Sequence, residues 1–298
     1  MGSRILVSGA SGVIGDAMLP ALKREGHHVV RLSRGSSSRE DQIAWDPRRV
    51  ISPESVSGFD AVIHLAGESI VGRWTEDKKI RIRDSRVLGT RFLAEALAAT
   101  PQRPAVMICA SAMGYYGNRS DEILREDSAS GSGFLAEVCR EWEEAAQPAA
   151  KADIRTVHLR IGLVLGPAKS ALQKMLPAFR LGLGGKLGNG RQWWSWIDVQ
   201  DLVGATLHIL KNDSMRGPVN ISAPAPVTNA EFTKTLASML SRSAIFPVPA
   251  FAVRLALGQM ADELLLASQR MEPAKLLDSG YRFQYADLRS SLENILAK

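Results

Sequence analysis

Seven residues near the amino terminus constrain this chain most. GASGVIG, from Gly9 to Gly15, follows directly on the apolar run RILVSG and leads into a helical pattern. A strand that turns at glycines into a helix is the opening unit of a parallel sheet. Gly9 permits a tight turn, Gly12 lets an anionic group approach the backbone, and Gly15 lets the helix pack on the strand. The amides at the helix start then face the turn, and a pyrophosphate suits that arrangement. Ser11, Val13 and Ile14 complete the segment and are candidate contacts with it.

The pattern continues along the first half. Apolar β-type runs at His28–Ser33, Ala61–Gly67, Ala105–Ala112 and Thr156–Gly166 alternate with helical patterns near Val13–Glu25, Glu76–Ala99 and Gly133–Ala150. Continuous apolar strands with intervening helices predict an α/β fold whose parallel sheet is doubly wound, with both faces covered. After Gly166 the pattern loosens. The glycine- and Trp-rich stretch Leu181–Trp194 reads as a shaped loop, and DLVGATLHIL and PVNIS read as a helix and a strand. Helical patterns follow near Asn229–Leu240, Phe251–Ser268 and Leu288–Leu296. The expected organisation is a nucleotide-binding (Rossmann) domain over 1–166 and about 195–223. A smaller, mostly helical lobe takes about 167–194 and 224–298.

The end of the second strand refines the ligand. A site that prefers NAD places an acid there for the ribose hydroxyls. Here the residues are Ser33 and Arg34. An arginine pairs with a 2′-phosphate that a carboxylate would repel. Charge-assisted bonds contribute roughly 1.5–3 kcal/mol each, enough for about a 10- to 100-fold preference. The cofactor expected is NADP(H).

Composition excludes several alternatives. The chain has 298 residues, 45% of them hydrophobic, and a net charge of +6, which favours anionic partners. The densest basic run, KKIRIRDSR from Lys78, has helical spacing and no nucleic-acid motif beside it, so it reads as a solvated helix face. No apolar run is long enough to span a bilayer, and no signal-peptide pattern opens the chain. Neither nucleic acid nor membrane is therefore expected as a partner. Cys109 and Cys139, both in apolar settings, read as reduced core thiols, and a cytoplasmic location follows. The five histidines, with His64 and His158 as satisfied core residues, form no metal-ligand spacing. No Gly-x-Ser-x-Gly elbow or Walker lysine is present.

Beyond the glycine turn, the ordered motifs HLAGESI, RDSRVLGT, SAMGYYG, FRLGLGGKLGNG, WWSWIDVQDL and VNISAPAPVTNAEF carry a resemblance. The chain resembles an atypical extended short-chain dehydrogenase/reductase of the epimerase-like branch, from the glycine turn to the carboxy terminus. The resemblance implies that Leu65, Ala66 and Gly67 line the cofactor and that Asp46 lies near the adenine. It further implies that Arg86 reaches the phosphates and that Arg160 and Ile161 flank the nicotinamide side. Asp198 stands where relatives commonly carry His. Trp193, Trp194 and Trp196 either wall a ligand or cap the core between lobes.

In the wider family a Tyr handles the substrate proton and a Lys four residues on lowers its pKa, on one helix face. The corresponding stretch here, GFLAEVCREWE from Gly133, offers Phe134/Val138, Leu135/Cys139 and Ala136/Arg140 instead. Tyr115, Tyr116, Tyr281 and Tyr285 are followed four residues later by Arg119, Ser120, Tyr285 and Arg289, so the chain has no Tyr-xxx-Lys pair. Three expectations stay open. Another group supplies the proton: Tyr116 or Tyr115, Glu68 or Cys139, with Ser111 near the family's Ser position. Or water supplies it. Or the protein binds NADP(H) without turnover as a regulatory or binding protein, a reading kept open because some members of that branch are linked to cell or plastid division. The substrate expected is a carbonyl compound or sugar-nucleotide-like molecule, and neither its identity nor the oligomeric state follows from the sequence.

Overall fold

The computed structural model describes residues 2–35 and 40–297. Its main sheet has seven strands, all parallel. β1 (Arg4–Ser8), β2 (His28–Ser33), β3 (Gln42–Ala44), β4 (Ala61–His64) and β5 (Val106–Ala112) are followed by the strands Arg155–Ile161 and Gly217–Ile221. Across the sheet the order is Gly217–Ile221, Arg155–Ile161, β5, β4, β1, β2, β3. Successive strands depart in opposite directions from β1 and β4, so the crevice at their carboxyl ends is the topological switch point where such sheets bind ligands.

Period-two alternation decides which side chains go to which face. Ile5, Val7 and Ile63 join the core layer that includes Met18 and Leu22 of helix α1 (Val13–Arg24). Leu6 and Val62 join the opposite layer, with Leu93 and Leu97 of helix α2 (Glu76–Ala99). Both layers are fully buried, which is why the strands read as unbroken apolar runs. The basic run of α2 is partly spent on ion pairs with helix α3 (Phe134–Glu144), Arg83 reaching Glu137 at 3.6 Å and Glu141 at 3.2 Å.

The helices Ala171–Arg180, Asn229–Met239 and Leu288–Leu296 surround Trp194, Trp196 and Phe232 in a separate core. Those two tryptophans cap that core, while Trp193 is half-buried, bonded through Nε1 to Asp121 and covered by Arg270. Asp198 is buried as the N-cap of the helix Val199–Lys211 and accepts a bond from Ser291 Oγ at 2.8 Å, tying the last helix to the short strand Trp196–Asp198 outside the main sheet.

Three departures from the sequence reading have visible causes. The expected strand Thr156–Gly166 breaks at Gly162, where a Cβ would stand 2.6 Å from the Ser195 carbonyl oxygen. The expected helix Phe251–Ser268 stops at Leu257, because Gly258 adopts φ 60°. The expected helix Gly133–Ala150 is two, the second being Gln147–Lys151 with Pro148 in its first turn.

Candidate functional site

The turn from β1 into α1 is held from both sides. Ser8 Oγ accepts from the amides of Leu65 (3.1 Å) and Ala66 (3.3 Å), and lies 2.7 Å from His64 Nδ1. A hydroxyl occupied as an acceptor gives its proton to Nδ1, which turns the Nε2 proton of His64 towards Thr90 Oγ1 at 3.0 Å. Trp142 Nε1 donates to the same Thr90 oxygen at 2.9 Å. Burial pushes His64 down to about 4, so this relay is neutral and structural. Its effect is to clamp the β4 exit, Leu65–Gly67, against the glycine turn.

Between those two loops opens a cleft of about 510 Å³. Gly9, Ser11 and Gly12 form one wall, Leu65, Ala66, Gly67, Glu68 and Ser85 another, and Ser33, Arg34, Gln42, Trp45 and Pro47 the far end. Of the residues expected in the glycine segment, Val13, Ile14 and Gly15 form the first helical turn behind this wall. Gly12 is the helix N-cap and offers no side chain, so the leading amides of α1 have no side-chain cap. Asp46 sits between Trp45 and Pro47 but turns away from the cleft towards its own neighbours. Bonds from the Arg48 amide and side chain hold its carboxyl below the usual range.

At the far end Gln42 Nε2 donates to Ser33 Oγ, and Arg31 holds Asp41 through both carboxylate oxygens. The Asp41 carboxylate beside β2 is thereby neutralised by a neighbour. Among the described residues Arg34 makes no ion pair, and its charge is felt by Glu68 across the cleft. Glu68 itself is bonded by Lys78 Nζ at 2.8 Å, which holds its carboxyl below the usual range and keeps it anionic at neutral pH. Arg86 is fixed over the β4 exit. Its Nη1 donates to the carbonyls of Glu68 (3.0 Å) and Ile82 (3.1 Å), its guanidinium stacks on Trp142, and a Cβ on Gly67 would meet it at 3.2 Å.

The remaining expected residues gather at the ends of β5 and its neighbour, outside the cleft lining. Ser111 and Arg160 are register partners, as are Ala112 and Ile161. Arg160 meets Glu143 as a fork, Nε to Oε1 and Nη2 to Oε2, both at 2.9 Å. Its Nη1 donates to the Tyr116 hydroxyl (3.0 Å) and the Glu126 carbonyl (3.1 Å), and its face lies 3.4 Å from the Tyr115 ring centre. Tyr116 is fully buried and donates to Asn220 Oδ1 at 2.7 Å. Burial pushes its hydroxyl up to about 12. Ser111 Oγ donates to Glu143 at 2.7 Å. Cys139, on α3, is buried and pushed up to about 12 by desolvation, so its thiol stays protonated. His158 is buried as expected, yet its Nδ1 has no partner among the described residues.

Sequence reasoning missed several residues that shape this site. Trp45, Pro47 and Gln42 line the cleft from segments without a motif, and Ser85 from within RDSRVLGT. Lys169 ion-pairs Asp16 and reaches the Ser11 carbonyl at 3.2 Å, bracing the glycine turn from 158 residues away. Glu263, from the smaller lobe, accepts from the amides of Phe134 (3.1 Å) and Leu135 (2.8 Å) and so caps α3, whose own N-cap is Gly133. Among the described residues no cluster of His, Cys, Asp and Glu is placed to hold a metal, and no helix is long and apolar enough to cross a membrane.

This architecture matches a known family over most of its length. The family model described as the NAD dependent epimerase/dehydratase family matches residues 5–222. The chain belongs to that family. A second model, a domain of unknown function (DUF1731), matches 248–295, within the carboxy-terminal lobe. Among relatives, an epimerase family protein of Mycobacterium bovis is 39% identical over 97% of this chain and 96% of its own. The chloroplastic SDR39U1 homologue of Arabidopsis thaliana is 40% identical over 98% of this chain and 86% of its own. The crystal structure of human epimerase family protein SDR39U1, solved with NADPH, superposes with a TM-score of 0.92 at 34% identity, covering 99% of both chains. The chain is thus an epimerase-family protein of the SDR39U1-like, extended short-chain dehydrogenase/reductase kind, with the doubly wound sheet expected of one.

Proposed function

We propose that this epimerase-family protein binds NADP(H) in the β1–β2–β4 cleft and offers it to a carbonyl or sugar-nucleotide-like substrate. The observation that carries the reading is the pairing of two features in one cleft. At one end stand uncapped helix amides, and at the other Ser33 and an Arg34 without an ion pair among the described residues. The residues fit the group. A Cβ on Gly9 would lie 2.6 Å from Leu65, closing the turn, whereas a Cβ on Gly12 would meet nothing nearer than 3.4 Å. Gly12 is therefore not demanded by the protein's own packing, and its openness suits a phosphate against the backbone. Gly9, Ser11 and Gly12 would hold the pyrophosphate, Ser33 and Arg34 the 2′-phosphate, Trp45 and Pro47 the adenine side, and Leu65 to Gly67 the nicotinamide half, while Arg86, expected at the phosphates, is committed to the Glu68 and Ile82 carbonyls. The human relative solved with NADPH supports the choice of cofactor. Bound there, the nicotinamide supplies hydride chemistry.

The chain's own residues bind and orient in this scheme, and among the described residues none near the cleft is a ready proton donor at neutral pH. Tyr116 is spent on Asn220 and Arg160, Ser111 on Glu143, and Glu68 is anionic. Those commitments favour a second reading as well, an NADP(H)-responsive binding protein without turnover.

Calorimetric titration with NADPH and NADH, on the wild type and Arg34→Ala, tests the shared claim. Tighter NADPH binding that falls about 10- to 100-fold in Arg34→Ala, to near the NADH value, is the expected result. Equal affinities for the two nucleotides in the wild type would overturn it. NADPH oxidation across a panel of carbonyl and sugar-nucleotide substrates then separates enzyme from binding protein.

A further inference from the structure

Away from the cleft, two segments of the smaller lobe run side by side. The Val248 amide donates to Lys186 O, the Gly188 amide to Val248 O and Arg242 Nε to Arg180 O, each at 2.9 Å. Leu181 and Leu183 come from the first segment, Ile245 and Phe246 from the second. Phe251 and Leu255 lie one turn apart on the helix Ala250–Leu257 that continues it. These six side chains are between 68 and 76% exposed. The two phenylalanines alone leave roughly 300 Å² in water, and the four other side chains add to a surface in the range of the largest apolar patch on a monomer, about 300–600 Å².

The two segments themselves carry charge of one sign, Arg254 being the one basic residue in them that is paired among the described residues, with Asp262. From Ser170 to Gly190 and from Leu240 to Gly258 there are five basic residues and no Asp or Glu. Beside the patch Lys186, Lys234 and Arg242 line a depression of about 370 Å³, with Ile245 at its edge. Among the described residues these three cations have no ion pair. A second copy of the chain laid on this face would set bases against bases. Another protein would need pockets for apolar tips that protrude so far. A lipid surface needs neither, since it deforms around the tips and brings its own anions.

We propose that this face docks peripherally on a membrane surface rich in anionic phospholipid. The apolar tips enter the interface, and Lys186, Lys234 and Arg242 meet headgroup phosphates. Such contact requires no spanning helix. It is invisible to any window of sequence, because the patch is assembled from two segments about sixty residues apart in the chain.

Vesicle flotation of the full chain tests this, with vesicles of phosphatidylcholine alone and of phosphatidylcholine mixed with phosphatidylglycerol. The protein is expected to float with the anionic vesicles only, and less as salt rises. Phe246→Ser should weaken binding by more than roughly tenfold. Lys234→Glu with Arg242→Glu should weaken it by at least roughly fivefold per site. A thermal melt of each variant confirms folding, and Lys234→Glu alone, at an exposed residue, serves if Phe246→Ser or the double variant melts early. Equal binding to both vesicle types would overturn the proposal, as would no binding to either. So would a dimer in light scattering that Phe246→Ser dissociates, which would assign the patch to a second copy.

Discussion

Gly9 and Gly15 are packed so closely that a Cβ on Gly15 would stand 2.4 Å from the Gly9 carbonyl oxygen, while one on Gly12 would meet that same oxygen at 3.4 Å. The three glycines of one motif therefore serve different ends. Gly15 is required by the fold, whereas packing does not require Gly12, which the proposed function gives to the ligand. Gly15→Ala should destabilise the chain by roughly 1–3 kcal/mol, because backbone on both sides has to move. Gly12→Ala should cost no more than about 1 kcal/mol, the loss of a tolerated N-cap residue, yet lower NADPH affinity by more than about tenfold. Urea denaturation and calorimetry on the two variants measure both quantities. An unchanged affinity in Gly12→Ala would remove the phosphate from that position.

Tyr116 offers a second separation. Its hydroxyl donates to Asn220 across 104 residues of sequence and accepts from Arg160 across 44, at the centre of a buried network that also takes in Glu143. Tyr116→Phe leaves Asn220 Oδ1 and one Arg160 nitrogen short of a partner, at a cost of roughly 1–3 kcal/mol. NADPH affinity should stay within about twofold, because the residue lies outside the cleft lining. A catalytic Tyr116 would behave oppositely, with stability kept and NADPH consumption lost. Denaturation midpoints and a turnover assay on the same variant distinguish the two.

Glu68 lines the cleft at the β4 exit, and Lys78 decides its state. Lys78→Met should let the Glu68 carboxyl return towards its ordinary range, since the bond from Lys78 is the main cause of its depression. In any assay where NADPH is consumed, that variant should gain activity at acidic pH if Glu68 is the donor. An unchanged pH profile would leave the proton to water or substrate.

These expectations track what local sequence can carry. The bounds of β2 and of α2 are the ones their apolar periodicity predicts, because burial on both sheet faces leaves an unbroken imprint. The glycine turn is legible because it is a contiguous motif whose geometry is local. The partners of Arg160 are not legible, since its charge is answered by Glu143, Tyr116 and Glu126, all remote from it in sequence. Nor is Glu263 as the cap of α3, 128 residues distant, or Lys169 behind the glycine turn. Gly258 and Gly162 interrupt elements for reasons of backbone angle and tertiary contact that no periodicity records.

His64 makes the clamp on the cleft sensitive to acid, with a sign that can be worked out. In the unfolded chain its pKa is near 6.5, and in the folded protein burial lowers it to about 4. Between those values the unfolded state binds a proton that the folded state refuses, so stability is full above pH 6.5 and is lost as pH falls towards 4. The cumulative loss from this group is about 3 kcal/mol, at one kcal/mol or more per pH unit in mid-window. Burial lowers His158 in the same direction, so the two add. A series of urea midpoints between pH 7.5 and 4, marks of roughly half a unit apart, should show the decline. His64→Asn should flatten it while costing stability at neutral pH, because Ser8 and Thr90 lose the ring that joins them. A parallel decline in wild type and variant would place the acid sensitivity elsewhere.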